Sequence, residues 1–167
     1  MSDRTRMATS FGRLGNGVLL ALVLAGPAWA QSTGNSYINP PSLAKPTGYT
    51  HVVVAADRRT VYIAGQVAFD SAGKLVGGSD FKAQAEQVFA NLGRALASVG
   101  ASFSDVVKTT TFITDATQVP NLREVRNRHL DPQHLPASTL LVVSALARPE
   151  LLIEIEAVVV LRTPLKP

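Results

Sequence analysis

Two glutamates interrupt an aliphatic stretch near the end of the chain. Residues Leu151 to Leu161 are almost wholly apolar, and Glu154 and Glu156 stand two positions apart within them, between Leu152 and Val158. A repeat of two puts both carboxylates on one face of a strand. A carboxylate among buried aliphatics must find a partner, shift its pKa or anchor a hydrogen bond. The pair is therefore a candidate site, and an ion pair to a neighbouring subunit is its competing structural role. His51 stands beside Tyr49 and Thr50, just before the first strand candidate. Imidazole is the side chain suited to proton transfer near neutral pH, and a packed or exposed histidine is the plainer reading.

The remaining reactive residue types form weaker patterns. His129 and His134 flank Asp131, but the spacing matches no standard ligand motif and Pro132 breaks any helical register, so no metal site is expected there. Ser138 and Ser144 lie in no G-x-S-x-G elbow and read as ordinary strand serines. Gly77-Gly78 reads as a turn, and no G-x-x-x-x-G-K-[ST] phosphate loop is present. The chain has no cysteine, which excludes thiol nucleophiles, disulfides and cysteine-ligated metals. No basic stripe interleaved with aromatics points to RNA.

The elements that must position these residues follow from periodicity. Val52 to Ala56 is a short strand candidate, and Val61, Ile63, Val67 and Phe69 alternate with Tyr62, Ala64, Gln66 and Ala68 in a second. Gly65 lies inside this second strand, where glycine marks a bulge or a close approach to the backbone. Ser79 or Asp80 caps a helix whose apolar stripe runs from Phe81 to Val99, and Gly100 ends it. Residues 105–114 are rich in β-branched side chains and predict a strand, and Pro120 opens a shorter helix to about Leu130. Thr139 to Leu146 and Leu151 to Leu161 predict two closing strands. The order β-β-α-β-α-β-β gives an α+β sheet with its helices on one side. Leu140 to Val143 and Ala157 to Leu161 are apolar on both faces. Two helices cover only one face, so other copies of the chain are expected to cover the second.

Residues 1–30 read differently. Arg4, Arg6 and Arg13 precede an uncharged apolar run from Gly17 to Gly26, which ends in Pro27-Ala28-Trp29-Ala30. This is the layout of a secretory signal peptide cleaved after Ala30. The run is shorter than the roughly 20 residues that span a bilayer, so no membrane association is expected after cleavage. The protein is expected to be exported, to the periplasm. Residues 31–47, rich in Gly, Ser, Asn and Pro, read as a flexible leader, and 48–164 as the folded domain. Without residues 1–30 the basic side chains number 13 against 11 acidic, a net charge of +2 that gives no case for nucleic acid as a partner.

The pieces Val61-Tyr62-Ile63-Ala64-Gly65-Gln66, Gly73, Gln84, Asn91, Asp105-Val106-Val107-Lys108, Asp115, Leu135-Pro136-Ala137 and Glu154-Ile155-Glu156-Ala157, in this order, resemble the Rid (YjgF/UK114-like) family. The likeness runs from about Gly48 to Leu161. It implies a chorismate-mutase-like fold, a homotrimer with small-molecule clefts at its subunit boundaries, and hydrolysis of reactive imines and enamines to keto acids and ammonia, with no metal or organic cofactor. By the same likeness, Tyr49 is the site tyrosine, Ala64-Gly65 the backbone that lines the cleft, and Glu154 the acid that orients water. His51 would shuttle a proton. Ser138 falls where the family has a carboxylate-binding arginine, Leu140 where many members have a cysteine, and Arg123 where asparagine is common. A guanidinium holds a carboxylate through two charge-assisted bonds that serine cannot supply, at a cost of about 2–5 kcal/mol when the pair is desolvated. Either the ligand lacks a carboxylate or another cation reaches it, Arg123 and Arg148 being the nearest candidates. A cofactor-free deaminase and a non-catalytic, exported small-molecule-binding trimer are the two leading functions; a third that the resemblance raises, ribonuclease activity or translation inhibition, is disfavoured by the expected export and the modest charge.

Overall fold

Strand and helix periods sort the described residues into one sheet and two α-helices. The computed structural model describes residues 35–57, 59–163 and 165; the expected signal peptide and the first residues of the expected leader lie outside them. In chain order the elements are β1 Ser36–Ile38, β2 Val52–Val54, β3 Thr60–Gln66, α1 Phe81–Ala97, β4 Val106–Ile113, α2 Val119–Arg126, β5 Ala137–Val142 and β6 Ile153–Val160. The six strands form one mixed sheet in the order β1-β2-β3-β6-β4-β5. Among the described residues no helix is long and apolar enough to cross a membrane.

Alternation in β6 sets the two faces. Ile153, Ile155, Ala157 and Val159 are buried under the helices, while Glu154, Glu156, Val158 and Val160 point the other way. The stripe Phe81, Ala85, Val88, Phe89, Leu92 and Leu96 packs α1 onto the buried face. Asp80 caps this helix, accepting from the Ala83 amide at 3.2 Å, and Gly100 follows its end at φ +65°. Ion pairs of Glu124 with Lys82 (2.6 Å) and Arg128 (2.7 Å), and of Arg128 with Glu86, tie one flank of α2 to α1.

The strand pairs are antiparallel except β4 with β5, which run parallel. Parallel neighbours need a crossover, and α2 supplies it. Every residue of β5 is exposed, including Leu140, Leu141 and Val142. On the helix-free face Tyr62, Leu141 and Val160 are also exposed. That is the uncovered apolar surface expected from strands apolar on both faces.

Residues 35–47, the described part of the expected flexible leader, form an ordered arm instead. Ser36–Ile38 adds an edge strand to β2, and Leu43 is buried in the core. Its prolines punctuate this arm, and a single buried leucine and three paired residues suffice to anchor it.

Two amides from α1 hold the loops that flank the site strands. Gln84, fully buried, donates to Gly78 O (2.6 Å) and Glu150 O (2.8 Å) and accepts from Leu152 N (2.9 Å). Asn91 donates to Val67 O (2.9 Å) and Phe69 O (2.8 Å). The first fixes the entry to β6 and the second the exit from β3. Gln84→Ala removes three hydrogen bonds to part-buried backbone groups and is expected to lower unfolding free energy by about 2–4 kcal/mol in denaturant titration.

Candidate functional site

Glu154 opposes Phe112 of β4 and lies beside β3, where the pairing slips by one residue between Ile63 and Gln66. Gly65 sits in this bulge. A Cβ built there would lie 1.8 Å from Glu154 Oε1 and 2.7 Å from its carboxyl carbon. The carboxylate thus occupies the space of a side chain, and only glycine leaves it room. Gly65 has no positive φ, so the requirement is space and not backbone conformation. Ala64 lines a cleft of about 400 Å3 on the helix-free face, with Glu156, Tyr62 and Lys108.

Burial, and then the charge of Glu156, pushes the Glu154 carboxyl above its ordinary pKa. Tyr49 is raised too, by burial first and the Glu154 charge second, so its phenol keeps its proton and remains a donor. The Tyr49 ring meets His51 edge-on, with centroids 5.1 Å apart.

His51 does not present a free nitrogen to this site. It is 4% exposed, its Nε2 bonds Ala44 O at 2.8 Å, and its Nδ1 bonds Gln66 Nε2 at 3.2 Å. The carbonyl requires the ring hydrogen on Nε2, and the amide hydrogen then meets Nδ1. With both nitrogens taken, the expected proton shuttle becomes a brace for Tyr49 and the bulge. Gln66 Nε2 also donates to Ala64 O at 3.0 Å, and the His51 amide donates to Asn39 Oδ1 at 2.9 Å. Sequence reasoning missed the positioning role of Gln66, Asn39 and Ala44, because the contacts of Asn39 and Ala44 depend on the arm folding back and those of Gln66 on the bulge in β3.

The other expected site residues lie on the opposite face. Pairing of Thr109 with Ser138 and of Thr111 with Leu140 turns both β5 residues toward α2. There Ser138, Leu140 and Arg123 share a cleft of about 210 Å3 with Thr111 and Arg126. Ser138 Oγ accepts from Thr109 Oγ1 at 3.3 Å. The expected site residues therefore fall into two clusters, Tyr49–Gly65–Glu154 on one face and Arg123–Ser138–Leu140 on the other. Arg148 belongs to neither, being paired with Glu150 and set 4.8 Å above the Phe69 ring. His129 stacks on Phe89 at 4.9 Å and bonds Glu86 at 3.0 Å, while His134 bonds Asp131 at 2.8 Å, so the two histidines share no ligand position.

Residues 41–161 match the family model described as Endoribonuclease L-PSP. A RutC family protein of Synechocystis is 32% identical over 119 residues, covering 71% of this chain and 90% of its own. The mouse 2-iminobutanoate/2-iminopropanoate deaminase is 39% identical over 103 residues, 61% of this chain and 74% of that one. Among solved structures, RidA from an Antarctic Psychrobacter superposes with a TM-score of 0.67 at 34% identity, covering 75% of this chain and 98% of that one. The chain belongs to the Rid family.

A raised folded-state pKa means that the native fold holds the Glu154 proton more tightly than the unfolded chain does. Ionisation then costs stability, which is fully present below the unfolded value and lost as pH rises through the folded one. Glu154→Gln removes that cost. Its melting temperature is expected to exceed that of the native protein at neutral pH, with the gain fading as the buffer is acidified; an equal gain at every pH would contradict the assignment.

Proposed function

We propose that this protein is a cofactor-free hydrolase of reactive imines or enamines, working as a homotrimer with its sites at the subunit boundaries. The observation that carries this reading is the Glu154 carboxylate, half-buried, raised in pKa and pressed against Gly65. The mouse and Psychrobacter relatives support it through their names and their likeness to this chain. The uncovered apolar face and the separation of the half-sites both support assembly: a neighbouring chain would bring its Arg123–Ser138–Leu140 cluster to the Glu154 cluster of the first.

Water adds to the carbon of the protonated imine as Glu154 accepts its proton, and a carbon–oxygen bond forms. The resulting carbinolamine takes the proton on nitrogen from Glu154. The carbon–nitrogen bond then breaks as Glu154 takes the proton of the new hydroxyl, leaving a carbonyl compound and ammonia, which carries that proton away as ammonium. One carboxylate serves as base and then acid, and a pKa raised toward neutrality suits both steps. Tyr49 donates a hydrogen bond to the ligand, and the Gly65 backbone bounds it. We also place the protein outside the cytoplasm, on the layout of residues 1–30. The amino terminus of the secreted form is then Gln31, which terminal sequencing of the periplasmic fraction tests.

Ser138 and Leu140 leave the second half-site less charged than a family arginine would, which favours pure binding as the other reading. Assay against imines generated by an amino-acid oxidase, with semicarbazide trapping, separates the two. The native chain is expected to accelerate hydrolysis, and Glu154→Gln to lower kcat about 10²–10⁴-fold. Gly65→Ala is expected to follow Glu154→Gln in activity, since the new methyl displaces the carboxylate. No turnover in the native chain or in Ser138→Arg, with a ligand recovered unaltered, would establish the binding reading instead.

A further inference from the structure

His51 and Gln66 meet in a way that only one protonation state of the ring allows. Gln66 Nε2 lies 3.0 Å from Ala64 O and 3.2 Å from His51 Nδ1. A carbonyl only accepts, so the atom facing it must be the amide nitrogen, and that nitrogen donates to both partners. His51 Nδ1 must then be the bare nitrogen of the ring. The other end of the ring agrees. Nε2 faces Ala44 O, a second acceptor, at 2.8 Å and so holds the ring hydrogen. Both side chains are buried, His51 at 4% exposed and Gln66 at 2%.

An imidazole that takes up a second proton is a donor at both nitrogens. The bond to Ala44 O survives that change. The bond to Gln66 does not, since two N–H groups would face each other. Rotating the Gln66 amide puts oxygen against the ring and restores that contact. The same oxygen then faces Ala64 O, and repulsion replaces a hydrogen bond. One of these two bonds is lost whichever way the amide turns, and a buried polar group left unpaired is costly.

What this pair holds is the site. The Ala64 amide donates to His51 O at 2.9 Å and the Ala64 carbonyl accepts from Gln66. Gly65 is next in the chain, and the Glu154 carboxylate occupies the space its side chain would take. A shift of Ala64 is therefore a shift of the surface on which Glu154 rests. The titratable groups nearby give a charged ring no bonded partner. Tyr49, in edge-on contact with it, is a neutral phenol. Glu154 of β6 acts on Tyr49 by its charge and bonds neither His51 nor Gln66. Lys45, which follows Ala44 in the arm, is exposed, and Asn39 and Gln66 carry no charge.

We propose that Gln66 is a positioning residue governed by His51: with a neutral ring it latches the Ala64–Gly65 bulge against Glu154, and protonation of the ring in mild acid releases the latch. Imidazole is the side chain whose charge changes over that range. That release lowers turnover rests on the hydrolase reading above; the latch itself does not.

Amide spectra of the isotope-labelled full-length protein, recorded as pH is lowered from about 8 to about 5, test the latch without any substrate. Glu154→Gln serves as the background, so that titration of this carboxyl cannot move the Gly65 signal. The Gly65 amide and the Gln66 side-chain amide are expected to shift together, with the midpoint at which the His51 ring carbons titrate. With His51→Gln added, both signals are expected to stay still, because an amide keeps one donor and one acceptor end and takes no proton. The shared midpoint in the parent decides the matter even if His51→Gln does not fold. A Gly65 amide that ignores the ring, a ring that stays neutral throughout, or equal movement in His51→Gln would overturn the latch. Against imines, kcat of the native chain is expected to fall more steeply in acid than that of His51→Gln. A chain that turns over no imine while Gly65 follows the ring would refute the hydrolase and keep the latch.

Discussion

The contact between the Glu154 carboxylate and the bare backbone of Gly65 is the constraint around which the rest is arranged. Placing a carboxylate where a Cβ would be requires a glycine, and a bulge to bring it opposite the acid. The bulge needs support, which Gln66 gives by bonding Ala64 O on one side and His51 on the other. His51 in turn is pinned by the arm through Ala44 and Asn39. Both ring nitrogens of His51 and the side-chain nitrogen of Gln66 are bonded in this chain of contacts, which fixes the bulge against which the acid rests.

The helix-side half-site exists because β4 and β5 are parallel. A hairpin would have placed β5 by a short turn. The crossover instead lays α2 across the sheet, and its arginines face Ser138 and Leu140 over a cleft. The sheet then separates the two half-sites completely. In the proposed trimer, assembly of several chains turns that separation into function, since the faces left apolar and exposed by the single chain are the faces that carry the proposed site.

Much of this was legible in the residues. Alternation around Glu154 and Glu156 put them on one face, and a glycine in a strand announced the close approach at Gly65. The two-faced apolar character of residues 140–143 foretold an uncovered strand. What could not be read was pairing order. Ser138 and Glu154 are neighbours in sequence terms, each on a strand near the chain end, yet the insertion of β6 between β3 and β4 and the parallel run of β5 put them on opposite faces. The same limit hid the partners of His51, whose ring nitrogens are engaged by Ala44 of the folded arm and by Gln66 of the neighbouring strand. Arg126 escaped notice because its helix-terminal position has a sufficient local explanation in the helix dipole.

The central claim is that a working site takes its Glu154 half from one chain and its Arg123 half from another. Subunit mixing tests it most directly. Glu154→Gln and Arg123→Gln proteins, each impaired alone, are unfolded together and refolded as mixed trimers. If the halves come from different chains, about a quarter of the sites receive both intact halves, and activity returns in that proportion. If both halves act within one chain, every site carries one defect, and mixing restores nothing.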